Sequence, residues 1–258
     1  VSRTAFITGA TSGFGLACAR RLASANWNLV LVGRREERLA ALEIELLERC
    51  KVKTLTLDVR DSEAINHSIE TLPEPFKNIS LLLNNAGLAL GTELAQNCKL
   101  SRWQQMIDTN ISGVAAVTHA LLPTIIRYGK GACIINLGSI AGRWPYPGGN
   151  VYCGTKAFVE QFSNALRCDL AGTGVRVTNI APGLAESEFT LVRTGGDTGA
   201  HEELYKGANP IKPEDIADVV YWIATLPPHL NINQLEIMPV SQAWSPLAIY
   251  RWYSDIEE

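Results

Sequence analysis

Short apolar runs alternate with longer amphipathic stretches along the whole chain. Runs of β-branched and aliphatic residues predict strands at 3–8, 28–32, 53–57, 79–84, 133–137, 175–180 and 234–238. Between them, apolar residues recur at helical spacing and predict helices at 13–24, 36–49, 62–71, 101–127, 150–170 and 214–226. The fourth strand carries Leu81, Leu82 and Leu83 in succession. A run that is apolar on both faces belongs to a parallel sheet covered by helices on both sides. The pattern therefore predicts α/β architecture with right-handed crossovers, with no linker that divides the chain and no fixed repeat. The segment 184–209 stands apart, with Gly195, Gly196, Gly199 and Gly207 and weak periodicity. It reads as a loop that closes over a site, or as a variable surface loop.

Composition narrows the classes. With 258 residues, 47% hydrophobic and 19% charged, the chain is long enough to bury a core and too apolar for a disordered one. A net charge of −3 leaves no footprint for nucleic acid or an anionic membrane. No consecutive apolar run reaches the ~18 residues of a membrane span. Six cysteines without a C-x-x-C pair, mostly within apolar periodic segments, predict free thiols in a reducing compartment, hence a cytoplasmic protein. Four scattered histidines offer no metal-ligand spacing, so no metal site is expected. The chain enters its first strand at once, and no leader is expected.

Four constellations carry chemistry. The first, Thr8-Gly9-Ala10-Thr11-Ser12-Gly13-Phe14-Gly15, joins the first strand to the first helix. Glycines there permit a tight turn and close approach of a pyrophosphate to the helix N-terminus; a purely structural glycine turn has the same spelling. The second is Gly33-Arg34-Arg35 after the second strand, where a dinucleotide's adenosine ribose lies. Guanidinium groups suit a 2′-phosphate, which favours NADP(H), unless Arg34 and Arg35 only pair with Glu36 and Glu37. The third, Asn84-Asn85-Ala86-Gly87, ends the fourth strand at the rim where open α/β sheets bind ligands. Sheet-end turn chemistry is compatible with it.

The fourth joins Ser139 to Tyr152-Cys153-Gly154-Thr155-Lys156. Tyr152 and Lys156 are i and i+4 and share a helix face. A free tyrosine has a pKa of about 10, and a nearby cation stabilises its phenolate, which makes Tyr152 a usable acid and base. Ser139 ends the fifth strand and can donate to a carbonyl oxygen.

Thr8–Gly15, Asp58, Asn84–Gly87, Asn110, Ser139, Tyr152, Lys156 and Pro182-Gly183 together resemble the short-chain dehydrogenase/reductase family over nearly the whole chain. The resemblance implies one Rossmann-type domain spanning 1–258, a doubly wound seven-stranded parallel sheet, and usually a homotetramer. It implies that Tyr152 donates and accepts the proton, and that Lys156 lowers the tyrosine's pKa and binds the nicotinamide ribose. Ser139 polarises the carbonyl, and Asn110 holds a relay water. Asp58 and Val59 meet the adenine, and Pro182-Gly183 borders the nicotinamide.

The stretches Asn84–Gly91, Trp144-Pro145-Tyr146 and Gly148–Tyr152 are similar to the NADP-dependent 3-hydroxy acid dehydrogenases that handle serine, allo-threonine and malonic semialdehyde. Sulfoacetaldehyde reductases of taurine metabolism belong to the same branch. Both substrate types place an anion two carbons from the reacting oxygen, so a cation is expected near Ser139 and Tyr152. Arg143 and Arg193 are the candidates, with Tyr146 and Asn150 as further pocket residues. The extra arginine leans the expectation to reversible reduction of sulfoacetaldehyde to isethionate, with 3-hydroxy acid oxidation as the alternative. A non-catalytic NADP-binding regulator is a remote alternative, because all four catalytic-type residues are present. The aromatic tail within 239–258, with Trp244, Tyr250, Trp252 and Tyr253, predicts docking, onto another subunit for instance.

Overall fold

The computed structural model describes residues 3–186, 188–244, 249 and 251. Seven strands alternate with helices along it: β1 (Thr4–Thr8), α1 (Gly13–Ser24), β2 (Asn28–Gly33), α2 (Glu36–Leu46), β3 (Val52–Thr56), α3 (Ser62–Glu70) and β4 (Ile79–Asn84) come first. Then follow α4 (Leu100–Ile107), α5 (Val114–Tyr128), β5 (Cys133–Leu137), α6 (Asn150–Asp169), β6 (Arg176–Pro182), α7 (Glu188–Arg193), α8 (Thr198–Tyr205), α9 (Pro213–Thr225) and β7 (Gln234–Ile237). The strands form one parallel sheet in the order β3-β2-β1-β4-β5-β6-β7. This is the doubly wound arrangement, and its strand order reverses between β1 and β4. A crevice opens there beyond the carboxyl ends of both strands.

Every residue of β1, β2, β4, β5 and β6 is buried, their aliphatic residues together with the few polar ones among them. One sheet face packs against Cys18 and Leu22 of α1, Leu39 and Leu42 of α2, and Val220 and Ile223 of α9. The other packs against Ile65 of α3, Val117, Leu121 and Ile125 of α5, and Leu166 of α6. A row of amides crosses the sheet among these apolar layers. Asn84, Asn136, Asn179 and Gln234 occupy paired positions on β4 to β7. Asn84 Nδ2 donates to Asn136 Oδ1 at 2.8 Å and Thr118 Oγ1 at 2.9 Å, Asn136 Nδ2 to Ser163 Oγ at 2.8 Å, and Asn179 Nδ2 to Gln234 Oε1 at 2.7 Å.

Two elements differ from the sequence expectation. The helix expected at 101–127 is broken by a wide π turn, Asp108–Gly113, between α4 and α5. Asn110 in that turn is fastened to the main chain of Leu88, and a Cβ on Gly113 would lie 2.8 Å from Val59 Cγ2. On length and composition alone Leu100–Tyr128 resembles a membrane span; instead Val117, Leu121 and Ile125 pack on the sheet as a core helix. The segment 184–209 holds two short helices, α7 and α8, rather than a plain loop. Tertiary polar contacts hold them: Thr190 and Tyr205 share a hydroxyl–hydroxyl hydrogen bond of 2.6 Å, and Tyr205 Oη donates to Ala185 O at 2.8 Å.

Candidate active site

The switch-point crevice is a cavity of about 390 Å³ lined from Gly9 through Val192. Its floor is the turn from β1 into α1. Asn85 Nδ2 donates to Thr8 O at 2.9 Å and Gly9 O at 3.1 Å. A Cβ on Gly15 would lie 2.3 Å from Gly9 O, and one on Gly9, at φ +67°, would lie 2.9 Å from Asn85 Nδ2. No side chain larger than hydrogen fits at either place, so the glycine motif and the Asn85 loop define each other's shape. Ser12 begins α1 without a side-chain cap, so the helix's first N–H groups remain open toward the cavity. Thr11, Ser12, Gly13 and Phe14 all line it. That opening fits a pyrophosphate.

The end beyond β2 is rich in guanidinium groups. Arg34 and Arg35 line the cavity with Asp58 and Val59. Arg34 Nη1 lies 3.9 Å from Asp58 Oδ2, a loose pair, while Arg60 Nε and Nη2 grip both Asp58 oxygens at 3.0 and 2.7 Å. The Arg60 contact outweighs burial and holds the Asp58 carboxyl below its usual range. Arg35 donates through Nε and Nη2 to Thr11 Oγ1 at 3.1 and 2.9 Å and through Nη1 to Glu188 at 3.0 Å. Thus Arg34 and Arg35 do not pair with Glu36 and Glu37. Two arginines facing the place of an adenosine ribose fit a 2′-phosphate.

At the opposite end stands Tyr152, buried on α6 beside Ser139 at the end of β5. The Ser139 hydroxyl is near enough to favour the ionised form of the Tyr152 phenol. Burial, reinforced by Tyr146, pushes the Tyr152 phenol well above its ordinary value; Ser139 and Arg193 pull it down less strongly. Lys156 Nζ lies 5.9 Å from the Tyr152 ring centre and donates to Leu137 O at 2.7 Å. Burial lowers its pKa to about 8. In the protein alone the ammonium is thus turned to a strand carbonyl. Asn110 Oδ1 accepts from Leu88 N at 2.9 Å, and its Nδ2 donates to Leu88 O at 2.8 Å and Thr155 Oγ1 at 3.0 Å. Both amide protons and one lone pair of the oxygen are engaged, so Asn110 positions the Leu88 segment beside Lys156. Ala86, Gly87, Pro182 and Gly183 also line the cavity.

The substrate candidates separate. Arg193 Nε donates to Gly91 O at 3.2 Å, and its Nη1 donates to Tyr146 Oη at 3.1 Å, with the guanidinium 5.2 Å from the Tyr146 ring centre. Arg193 and Tyr146 stand behind the lining that Phe189 and Val192 supply, and Arg193 pairs with no carboxylate among the described residues. Arg143 is overturned as an anion site: the 3-10 turn Ile140–Gly142 carries it outward, where it pairs with Glu160 of α6 and does not line the cavity. Asn150 is also corrected. At φ 23° its side chain accepts from Val151 N at 2.8 Å and contacts Glu93 O and Cys98 Sγ, outside the cavity. Sequence reasoning missed Phe189, whose ring centre lies 5.7 Å from that of Tyr152, and Gln242, whose Oε1 accepts from Leu184 N at 2.7 Å behind Gly183. Arg251 donates to Leu204 O and Lys206 O at 3.0 and 2.6 Å, so this part of the tail docks on its own α8. Tyr250, Trp252 and Tyr253 lie outside the described residues.

The family model described as short chain dehydrogenase matches residues 3–194. Two sulfoacetaldehyde reductases of Chromohalobacter salexigens are similar in sequence. One is 60% identical over 244 residues, covering 95% of this chain and 96% of that protein. The other is 57% identical over 251 residues, covering 97% and 100%. A solved structure described as the closed form of serine dehydrogenase complexed with NADP+ superposes with a TM-score of 0.90 at 46% identity, covering 96% of this chain and 100% of that one. With the switch-point crevice, the glycine turn and the Ser139–Tyr152–Lys156 cluster in place, the chain belongs to the short-chain dehydrogenase family.

Proposed function

We infer that the chain is an NADP(H)-dependent oxidoreductase that reduces a small aldehyde bearing an acidic group, sulfoacetaldehyde to isethionate. One observation carries the substrate class: Arg193, unpaired with any described carboxylate, stands on Tyr146 beside Tyr152. Arg34 and Arg35 line the cavity for the cofactor's 2′-phosphate, and Arg193 stands behind the Phe189 and Val192 lining near its other end for the acid group. The names of the two Chromohalobacter relatives support the sulfonate. The likeness to the serine dehydrogenase favours a second reading, oxidation of a 3-hydroxy acid, whose carboxylate suits the same guanidinium.

The crevice would hold the cofactor's pyrophosphate at Gly9, Gly13 and Gly15 at the open start of α1, its adenine at Asp58 and Val59, and its nicotinamide side at Asn85, Ala86, Gly87, Pro182, Gly183 and Lys156. When bound, NADPH supplies the hydride. Arg193 and Tyr146 orient the acid group, so that the carbonyl oxygen meets Ser139 Oγ and Tyr152 Oη. Burial keeps the Tyr152 proton on its oxygen at neutral pH, ready for transfer. The aldehyde carbon gains the hydride, its oxygen gains the Tyr152 proton, and the alcohol leaves. Ser139 donates to the carbonyl oxygen as negative charge develops there. Lys156, with a pKa of about 8, is mostly charged at pH 7 and stabilises the phenolate left behind.

We place this activity in a single domain of the cytoplasm, within taurine-derived sulfonate metabolism, with 184–209 as the moving cover of the site. A homotetramer follows the family habit. The apolar side chains of Val240, 96% exposed, and Trp244 support docking of a second copy near the tail. NADPH consumption against sulfoacetaldehyde, malonic semialdehyde and a neutral aldehyde of similar size tests the reading. Preference for sulfoacetaldehyde is expected. Preference for the neutral aldehyde would refute an anion site, and preference for malonic semialdehyde would select the second reading.

A further inference from the structure

A contact at the cofactor end of the cavity has no part in the reaction just described. Glu188, the first residue of α7, reaches the start of α2. Its Oε2 accepts from Arg35 Nη1 at 3.0 Å, and Arg38 Nη1 donates to both its oxygens at 2.9 and 3.1 Å. Glu188, Arg34 and Arg35 line the same cavity. Burial works against the charge on Glu188, but Arg38 and Arg35 hold its carboxyl below the usual range, so it is an anion at neutral pH. The chain thus supplies a carboxylate where its guanidinium groups face the place of a 2′-phosphate. A phosphate dianion and this carboxylate compete for Arg35, whose other edge Thr11 already holds. The two anions also repel each other.

The rest of α7 reaches the reaction end. Phe189 packs on Tyr152, and Arg193 donates to Gly91 and Tyr146. The short helix is therefore pinned by ion pairs at the cofactor end and by aromatic and neutral contacts at the substrate end. We propose that Glu188 is an internal stand-in for the 2′-phosphate, which holds Arg35 and Arg38 in the free protein and is displaced when the phosphate arrives. Occupancy of the adenosine end then releases the start of the helix that carries Phe189 and Arg193. This rests on the NADP(H) reading. NADPH must displace an intramolecular anion, whereas NADH has no phosphate to exchange for it.

Calorimetric titration of the parent and Glu188→Gln with 2′,5′-ADP and with 5′-AMP tests the exchange. The ion pairs at Glu188 are half-exposed, so their removal is worth about threefold to tenfold tighter binding of 2′,5′-ADP. Binding of 5′-AMP is expected to change less than about twofold. Amide hydrogen exchange in the parent supplies a readout that needs no variant: 2′,5′-ADP is expected to speed exchange over Glu188–Arg193, and 5′-AMP to leave it unchanged. Unchanged or weaker 2′,5′-ADP binding by Glu188→Gln overturns the stand-in, as does exchange in the parent that 2′,5′-ADP slows or leaves alone. If 2′,5′-ADP binds the parent no better than 5′-AMP, the NADP(H) reading itself fails.

Discussion

Ser139 meets Tyr152 because the turn after β5 lies directly on the backbone of α6, and Gly142 makes that approach possible. A Cβ at Gly142 would lie 2.7 Å from Lys156 C, 2.8 Å from Lys156 O and 2.8 Å from Ala157 N. Favourable carbon contacts begin at about 3.5 Å, so Gly142→Ala must lift the turn by roughly 0.7–1 Å. All three obstructing atoms are main chain within a helix and cannot swing aside. Ser139 moves with the turn, because its Oγ accepts from Ala141 N at 3.1 Å. Overpacking of this kind costs about 1–3 kcal/mol of stability. A shift near 1 Å at a reacting group costs about 100-fold in rate. Steady-state reduction of sulfoacetaldehyde is therefore expected to lose about 30- to 100-fold in kcat. NADPH affinity, read by fluorescence titration, is expected to hold within about threefold, since the glycine turn and Arg34–Arg35 are remote from the change. Gly154→Ala is the matched control on the same helix: its Cβ would meet nothing within 4 Å, and alanine there is expected to raise the melting temperature slightly. Parental kcat and melting temperature in Gly142→Ala would refute the reasoning.

Removing the Arg193 guanidinium separates the two arginines: Arg193→Ala is expected to raise KM for sulfoacetaldehyde about 10- to 100-fold and for a neutral aldehyde far less, while Arg143→Ala moves neither by more than about twofold. Equal effects of Arg193→Ala on both substrates would sink the anion site. Tyr152→Phe is expected to lower kcat by about 10²–10⁴ with NADPH binding intact, and retained turnover would remove the tyrosine from the mechanism. Lys156 titrates at about 8 when folded against 10.5 when free, so between those values the unfolded chain holds the extra proton. The stability of the parent relative to Lys156→Met is accordingly expected to rise from pH 8 to 10.5, measured by urea unfolding at stepped pH. A flat difference would show that the lysine is not buried as described.

Much of this architecture is legible in the chain because it rests on local or periodic signals. Strands such as 79–84 are apolar on both faces, the glycines sit where a strand meets a helix, and Tyr152 and Lys156 are one helical turn apart. What was illegible depends on direction and on distant partners. Arg143 follows Ser139 by four residues and looks near the substrate, yet one 3-10 turn sends it to Glu160. Arg193, fifty-four positions away, arrives through α7. The short helices α7 and α8 bury few apolar residues of their own and are organised by contacts such as Thr190–Tyr205 and Glu188–Arg35, which no periodicity announces. The π turn that breaks 101–127 is hidden for a similar reason, since Asn110 finds its partners at Leu88 and Thr155.

Strands that are aliphatic on both sides carry little to distinguish one alignment with a neighbour from the next, because any shift still lays Leu, Ile or Val against one another. The amides of Asn84, Asn136, Asn179 and Gln234 remove that degeneracy. Sliding β5 by one residue along β4 would set Ile135 or Leu137 opposite Asn84 and strand an amide in hydrocarbon, at about 1–3 kcal/mol for each unmet group. Four polar side chains thus act as an indexing mark for the interior. The same mark keeps the carboxyl ends of β4, β5 and β6 level, and the reaction end of the crevice is built on those three ends.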